Sequence, residues 1–178
     1  EINAAEVTIL QIDSHADMRN DDANVNPNES YPSQFAHSCV MRRAVEMGFK
    51  VVQVGLRSYC KEEFDFITDN KDKIKVFEWG KNKIPTIQQI IESIKTKKVY
   101  LSLDVDGIDP AYFPATGTPV QGGLEWYYAL DLINSTVNQK ELVGCDIVEV
   151  SPIENNKLTE YGAAQVCYNI MAQVLNKK

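Results

Sequence analysis

The sequence has little of what several protein classes require. Acidic residues outnumber basic ones, 25 to 18, for a net charge of -7, which argues against a nucleic-acid partner because such binding needs a basic face. No apolar run approaches the roughly 20 residues of a membrane-spanning helix, and no charged-then-apolar leader opens the sequence. The four cysteines form no C-x-x-C pair, so reduced thiols are expected. We therefore expect a cytoplasmic protein without a membrane partner.

The 178 residues, 44% of them hydrophobic, suffice for one domain with a sizeable core. Apolar runs typical of strands alternate with amphipathic stretches typical of helices. The predicted strands are VTILQI, VVQVGL, IKVFEW, VYLSLDV and ELVGCDIVEV, and the predicted helices include HSCVMRRAVEMG, IPTIQQIIESIKTK, LEWYYALDLINSTV and TEYGAAQVCYNIMAQVL. Parallel strands need long crossovers, which are usually helical. The alternation therefore predicts an α/β fold, a three-layer α/β/α sandwich with a mainly parallel sheet.

Two segments break this alternation and are predicted to be loops. Residues 18–34 are rich in Asn, Asp and Pro, and residues 107–123 are rich in Gly and Pro. Both begin just after the carboxylate-bearing end of a predicted strand. In open parallel sheets, ligands bind at that edge.

The stretch QIDSHAD places one of only two histidines between two aspartates. If the strand stays extended through its exit, Asp13, His15 and Asp17 point the same way and could bind a divalent cation. The alternative is a polar strand end with capping aspartates and an exposed histidine, since short patterns often match by chance.

A second acidic cluster favours the metal interpretation. In LSLDVDGIDP, Asp104 and Asp106 lie two positions apart at another strand end, where two like charges repel unless a cation or strong donors compensate. Carboxylates with a single imidazole favour Mn²⁺ or Mg²⁺. These five side chains are too many for one ion and suit two ions about 3.5 Å apart, which generate hydroxide from bound water.

Two further residues are weaker candidates. Glu149, at the end of a third strand, could bind a planar guanidinium through paired hydrogen bonds, or it could cap a helix or pair with a surface lysine. His37 has a side chain suited to proton transfer near neutral pH, although a lone histidine is more often a surface or packed residue.

Three blocks in this order, DSHAD, SLDVDGIDPAYFPATGTPVQGGL and DIVEVSP, resemble the signatures of the ureohydrolases, the family of arginase, agmatinase, guanidinobutyrase and formimidoylglutamase. The resemblance implies an arginase-like fold, two Mn²⁺ ions, a small guanidino substrate and a homo-oligomer. It makes Asp13 and Asp104 bridging ligands, with His15 and Asp106 completing one ion and Asp17 serving the other. It assigns His37 to proton transfer and Glu149 to the guanidinium, which the hydroxide attacks to give urea and an amine.

Within that family, DSHADMR followed by HSCVMRRA looks like the agmatinase branch. An arginase-type Ser-Gly-Asn loop for the substrate's α-carboxylate is not found in residues 18–34. The resemblance therefore favours agmatine, hydrolysed to putrescine and urea, with another ureohydrolase substrate as the alternative.

The family also has a Gly-Gly-Asp/Glu-His block upstream of DSHAD, which supplies a histidine ligand and is missing from this sequence. We therefore expect residues 1–178 to form a single catalytic domain that lacks its N-terminal portion, and a non-catalytic subunit remains an alternative. A second alternative is a phosphatase of the haloacid-dehalogenase type, which LDVDG resembles. That motif should lie on an early strand, and this alternative leaves DSHAD unexplained.

Overall fold

A five-stranded sheet, in which every neighbouring pair of strands is parallel, forms the centre of the molecule, in the order β3-β2-β1-β4-β5. The structure is a computed structural model and describes residues 3–23 and 33–177. The strands are β1 (Val7–Ile12), β2 (Lys50–Leu56), β3 (Ile74–Glu78), β4 (Lys98–Asp104) and β5 (Glu141–Val148). The helices are α1 (Val40–Glu46), α2 (Lys61–Asp69), α3 (Ile87–Ser93), α4 (Trp126–Gln139) and α5 (Leu158–Asn176).

Helices cover both faces of this sheet, so the predicted three-layer α/β/α sandwich is confirmed. Alternate residues of a strand face opposite sides. Leu10 and Leu101 pack with α3, α4 and α5 on one face, whereas Ile9 and Val51 pack with α1 and α2 on the other. Burial of each such aliphatic side chain stabilises the fold by roughly 1.5–3 kcal/mol. The central strands are apolar on both faces, as expected for a covered parallel sheet.

Two helices are shorter than their sequence patterns predict. HSCVMRRAVEMG covers residues 37–48, whereas α1 covers Val40–Glu46 and follows a 3-10 helix at His37–Cys39. The second is α3. The pattern extends over residues 84–97, whereas α3 covers Ile87–Ser93. Thr86 caps its start, and the Thr86 and Gln89 side chains each accept a hydrogen bond from the other residue's backbone N–H. Ile94 then adopts an extended backbone and buries its side chain in the core. The helix therefore ends where Ile94 turns into the core.

The order of the strands creates a topological switch point between β1 and β4. The chain runs from β1 outward through β2 to β3 and then returns to the other side of β1 as β4. Helices that leave neighbouring strands in opposite directions open a crevice beyond the strand carboxyl ends, which is where ligands bind in such sheets. The predicted DSHAD and LDVDG clusters lie at the carboxyl ends of these two strands.

In their described parts, both predicted loops lack helices and strands of three or more residues. The one overlap is Gly107, the last residue of the 3-10 helix Val105–Gly107. Residues 24–32 of the first loop lie outside the described residues. Among the helices that the structure describes, none is long and apolar enough to cross a membrane.

Candidate active site

A cavity of about 770 Å³ opens at the carboxyl ends of β1, β4 and β5. Its lining includes every residue that the sequence predicts for the site: Asp13, His15, Asp17, His37, Asp104, Asp106 and Glu149. A second cavity of about 790 Å³, bordered by β3, α2 and α3, contains none of them. The tertiary fold therefore brings together side chains that are up to 136 positions apart in sequence.

Three of these side chains form the closest cluster. One possible ligand atom each from Asp13, His15 and Asp106 lies within 4.8 Å of the other two. His15 Nδ1 is 3.0 Å from Asp106 Oδ2 and 3.6 Å from Asp13 Oδ1. Both aspartates are at most 3% exposed, whereas the histidine side chain is 28% exposed. Two carboxylates and an imidazole at this spacing could coordinate one divalent cation.

The DSHAD segment reaches this arrangement without continuing as a regular strand. β1 ends at Ile12, and the Asp13 N–H then donates to the Val54 carbonyl at 3.0 Å. The Ser14 carbonyl accepts from the backbone N–H groups of Arg57 and Ser58 at 3.0 and 2.9 Å. These bonds keep the segment alongside the exit of β2, so Asp13 and His15 still point into the cavity.

Asp17 reaches the cavity by a different route. Its φ angle is 53°, in the left-handed region that non-glycine residues rarely adopt. Its carbonyl accepts the N–H groups of Met41 and Arg42 in α1 at 3.1 and 3.2 Å. The start of α1 therefore holds a turn at Asp17 that simple strand alternation does not predict.

The second cluster lies where β4 passes into the 3-10 helix Val105–Gly107. Asp104 Oδ1 caps this helix by accepting the Asp106 N–H at 2.9 Å. Asp106 Oδ1 accepts from the Ser14 hydroxyl at 2.7 Å and from the Ser14 N–H at 3.1 Å. Ser14, which the sequence analysis did not single out, thereby links the DSHAD segment to the segment that carries Asp104 and Asp106.

Burial and mutual repulsion raise the pKa values of three of these carboxylates. Burial, and then the charges of neighbouring carboxylates, raise the pKa of Asp104 to about 9 and that of Asp17 well above its usual value. Burial is also the main cause that raises the pKa of Asp13 to about 6. Without a cation, burial and mutual repulsion keep these groups from all ionising near neutral pH.

His15 and Asp106 form a charged pair within this cluster. The hydrogen bond to Asp106, followed by that to Asp13, raises the pKa of His15 to about 10. Burial acts to raise the pKa of Asp106, but hydrogen bonds from His15 and Ser14 outweigh it and lower the pKa to about 2. A proton on His15 thus supplies positive charge at the position where a cation would bind.

His37 and Glu149 line the outer part of the cavity, and both are exposed. His37 begins the 3-10 helix His37–Cys39, which leads into α1. Glu149 follows β5 with a φ angle of 63°, and a Cβ atom added to Gly117 would lie 3.9 Å from its Oε2 atom. The loop of residues 107–123 therefore passes beside this carboxylate.

Arg57 fixes that loop. Its guanidinium donates to the carbonyls of Asp106 and Val120 at 2.7 and 2.6 Å, and further bonds reach Gly55, Gly107 and Gln121. At the other end, Asp109 Oδ2 accepts the N–H groups of Gly122 and Gly123 at 2.8 and 3.0 Å. These bonds hold Thr118 where its hydroxyl donates to Asp106 Oδ2 at 3.3 Å.

The sequence analysis missed several polar residues beneath the cavity. Gln11 and Gln53 interrupt the apolar runs VTILQI and VVQVGL, and a polar residue in a buried parallel strand is the signal that could have identified them. Asp146 accepts the hydroxyls of Ser102 and Tyr100 at 2.8 and 2.9 Å. Nothing in the sequence pairs Asp146 with β4, because that contact depends on the order of the strands.

Comparisons with known proteins agree with this fold. The sequence profile of the Arginase family matches residues 2–173. The chain is 36% identical over 167 residues to the N(1)-aminopropylagmatine ureohydrolase of Synechocystis sp., covering 92% of this chain and 51% of that protein. It is 37% identical over 154 residues to the guanidinobutyrase of Pseudomonas aeruginosa, covering 82% of this chain and 46% of that protein. The crystal structure of the agmatine ureohydrolase of Thermoplasma volcanium superposes with a TM-score of 0.79 at 32% identity, and the match covers 96% of this chain and 55% of that protein.

The chain belongs to the arginase family, as the resemblance of its three sequence blocks implied. It spans about half the length of the relatives it matches.

Proposed function

We propose that the protein is a binuclear manganese hydrolase that cleaves a guanidino compound to urea and an amine. One observation carries this proposal: the two carboxylate clusters at the ends of β1 and β4 line one cavity together with His37 and Glu149. Membership of the arginase family supports it. In this proposal, residues 1–178 contribute a single catalytic domain.

The donor set fits hard divalent cations such as Mn²⁺. Asp13, His15 and Asp106 would hold one ion. Asp17 would serve a second ion, and Asp104 and Asp13 would bridge the two. Burial, and then repulsion from neighbouring carboxylates, raise the pKa values of Asp17 and Asp104, which supports this assignment because a cation would offset both effects. Bound manganese would supply hydroxide near neutral pH.

The other residues of the cavity bind and orient the substrate. The Glu149 carboxylate would accept paired hydrogen bonds from the guanidinium and so orient the substrate in the cavity. His37 is exposed at the cavity mouth and delivers a proton to the departing amine, as expected for an imidazole near neutral pH. Thr118 and Ser14 hold Asp106 in place.

Agmatine is the substrate that we propose first, with putrescine and urea as products. The cavity lining is acidic, with Asp146 and Glu63 in addition to the predicted carboxylates, which suits a dication without an α-carboxylate. N1-aminopropylagmatine is the second candidate, because relatives from Synechocystis and Thermus thermophilus carry the name of an enzyme for that compound. A homo-oligomer and a cytoplasmic location stay predictions of the sequence.

A substrate screen with defined metal content tests this function. The chain is loaded with Mn²⁺, and urea release is measured from agmatine, N1-aminopropylagmatine, guanidinobutyrate and arginine, while manganese per chain is determined by mass spectrometry. Asp13→Asn should lose both manganese and urea release. Asp131→Asn removes an exposed carboxylate on α4, outside the cavity lining, and should change neither.

Two results would contradict the proposal. Manganese uptake without urea from any of the four compounds favours a non-catalytic subunit. Equal activity of Asp13→Asn and the unaltered chain would remove the carboxylate cluster from the reaction.

A further inference from the structure

Two buried amides, Gln11 on β1 and Gln53 on β2, lie side by side beneath the carboxylate cluster. They are direct partners in the parallel register of the two strands, and each is 1% exposed. Their strand neighbours are apolar, and a buried amide destabilises the fold unless it is hydrogen bonded. The bonds that these two amides make therefore define what they contribute.

The orientation of Gln53 follows from its partners. Its Nε2 donates to Gln11 Oε1 at 2.6 Å and to the Ala16 carbonyl at 2.7 Å. The Ala16 carbonyl can only accept, so the amide nitrogen, and not the oxygen, must face it. Gln53 Oε1 is buried without a hydrogen-bond partner among the described residues. Gln53 therefore makes two hydrogen bonds through its amide N–H groups and, within the described part of the chain, none through its oxygen. The N–H groups are what this side chain contributes at this position.

Gln53 in turn fixes the orientation of Gln11. Because Gln11 Oε1 accepts from Gln53, the Gln11 amide nitrogen must point the other way, toward the cavity. That Nε2 lies 2.7 Å from Asp13 Oδ2 and 3.3 Å from Asp17 Oδ2. A single NH₂ group therefore reaches one oxygen of each carboxylate, although the two aspartates are four residues apart.

The same pair also holds the backbone at the strained turn. Gln53 binds the carbonyl of Ala16, the residue just before the left-handed Asp17. Asp13 is oriented at both oxygens, since its Oδ1 atom accepts the His15 N–H at 2.6 Å. An amide supplies these donors without adding a positive charge that would compete with a cation.

We infer that Gln11 and Gln53 are positioning residues that set the Asp13 and Asp17 carboxylates for divalent-cation binding, with Gln53 acting through Gln11. This inference rests on the cation site of the proposed function. It adds residues that contact no ion themselves, and such partners of metal ligands typically change metal affinity by about 10- to 100-fold when they are removed.

The test replaces each amide by an apolar side chain of similar length. Gln11→Met, Gln53→Met and the double variant are compared with the unaltered chain for the dissociation constant of Mn²⁺, measured by calorimetry. Thr8→Val is the matched control, because Thr8 is equally buried on β1 and its hydroxyl is hydrogen bonded to Thr96 at 2.7 Å. It lowers the stability of the same strand away from the cavity.

Gln11→Met should raise the dissociation constant about 10- to 100-fold, whereas Thr8→Val should leave it unchanged even if both variants melt earlier. Gln53→Met should give a smaller rise, and the double variant should resemble Gln11→Met alone, because coupled residues are not additive. Unchanged affinity in Gln11→Met, or an equal rise in Thr8→Val, overturns the inference.

The same measurements distinguish failure of this inference from failure of the proposed function. If the chain binds manganese and Gln11→Met weakens that binding, but no guanidino compound releases urea, the inference stands and the function fails. A chain that takes up no manganese overturns both.

Discussion

Gly107 is a position where the backbone of the candidate site leaves no room for a side chain. This glycine lies in the 3-10 helix that carries Asp106 and packs against the end of β1. A Cβ atom placed on it would lie 2.7 Å from the Asp13 nitrogen and 2.9 Å from both the Asp13 Cα and the Ile12 carbonyl carbon. All three are backbone atoms, so no side-chain rotation relieves the contact.

The size of the effect of Gly107→Ala follows from these distances. Ordinary contact begins at 3.4 Å, so the two segments must separate by about 0.7 Å. Ser14 and Asp106 bridge the same two segments through bonds of 2.7 and 3.1 Å, and a shift of that size breaks at least one of them. Overpacking of this kind costs about 1–3 kcal/mol of the free energy of unfolding. Ligand distances at metal sites lie within about 0.2 Å of their usual values, so a shift of this size should lower manganese affinity as well.

Urea denaturation and Mn²⁺ titration measure these two effects. The matched control is Gly80→Ala, because an added Cβ atom at Gly80 meets nothing within 4 Å. That control should be neutral or slightly stabilising, since alanine restricts the unfolded chain. If Gly107→Ala unfolds at the same urea concentration as Gly80→Ala and binds manganese equally well, the close packing of the Asp106 segment against the end of β1 is refuted.

Three further predictions concern single side chains. Asp104→Asn should abolish retention of the second manganese ion and all turnover, and a variant that keeps two ions per chain by mass spectrometry would exclude a bridging role. Glu149→Gln should lower kcat/KM for agmatine about 10- to 100-fold through KM with metal content unchanged, since hydrogen bonds to charged groups contribute about 1.5–3 kcal/mol; unchanged kinetics would remove Glu149 from the site. Burial, and then the hydrogen bond to Asp146, raise the pKa of Tyr100 to about 12. The unfolded chain ionises first, near pH 10, so stability should fall between pH 10 and 12. In ¹³C NMR of labelled tyrosine, Tyr100→Phe should remove a resonance that titrates near pH 12. If the resonance that this variant removes titrates near pH 10 instead, the raised pKa of Tyr100 is contradicted.

Local sequence patterns predict the elements of the fold well because each element satisfies its own physical requirements. VTILQI and VVQVGL have the mostly apolar character of strands covered on both faces, and both lie in strands of the structure. The helix α3 differs from its prediction, since the sequence pattern does not show that Ile94 leaves the helix and is buried in the core. Boundaries depend on tertiary packing, which a local pattern does not contain.

Part of the candidate site can also be predicted from local sequence patterns. Asp13, His15, Asp104 and Asp106 are conspicuous because charged groups at the ends of apolar strands need compensation. Gln11 and Gln53 were not recognised, because their importance lies in the hydrogen bonds between them and not in their chemistry alone.

The sequence by itself determined which segments become strands, and that acidic side chains with one imidazole follow β1 and β4. Tertiary structure alone decided that these two strand ends are neighbours. The chain builds β2 and β3 on one side of β1 before β4 pairs with the other side, which places Asp106 beside His15 across 91 positions of sequence. The physical reason is that strand order depends on how whole helices and strands bury their apolar faces together, whereas local patterns only set what each strand carries.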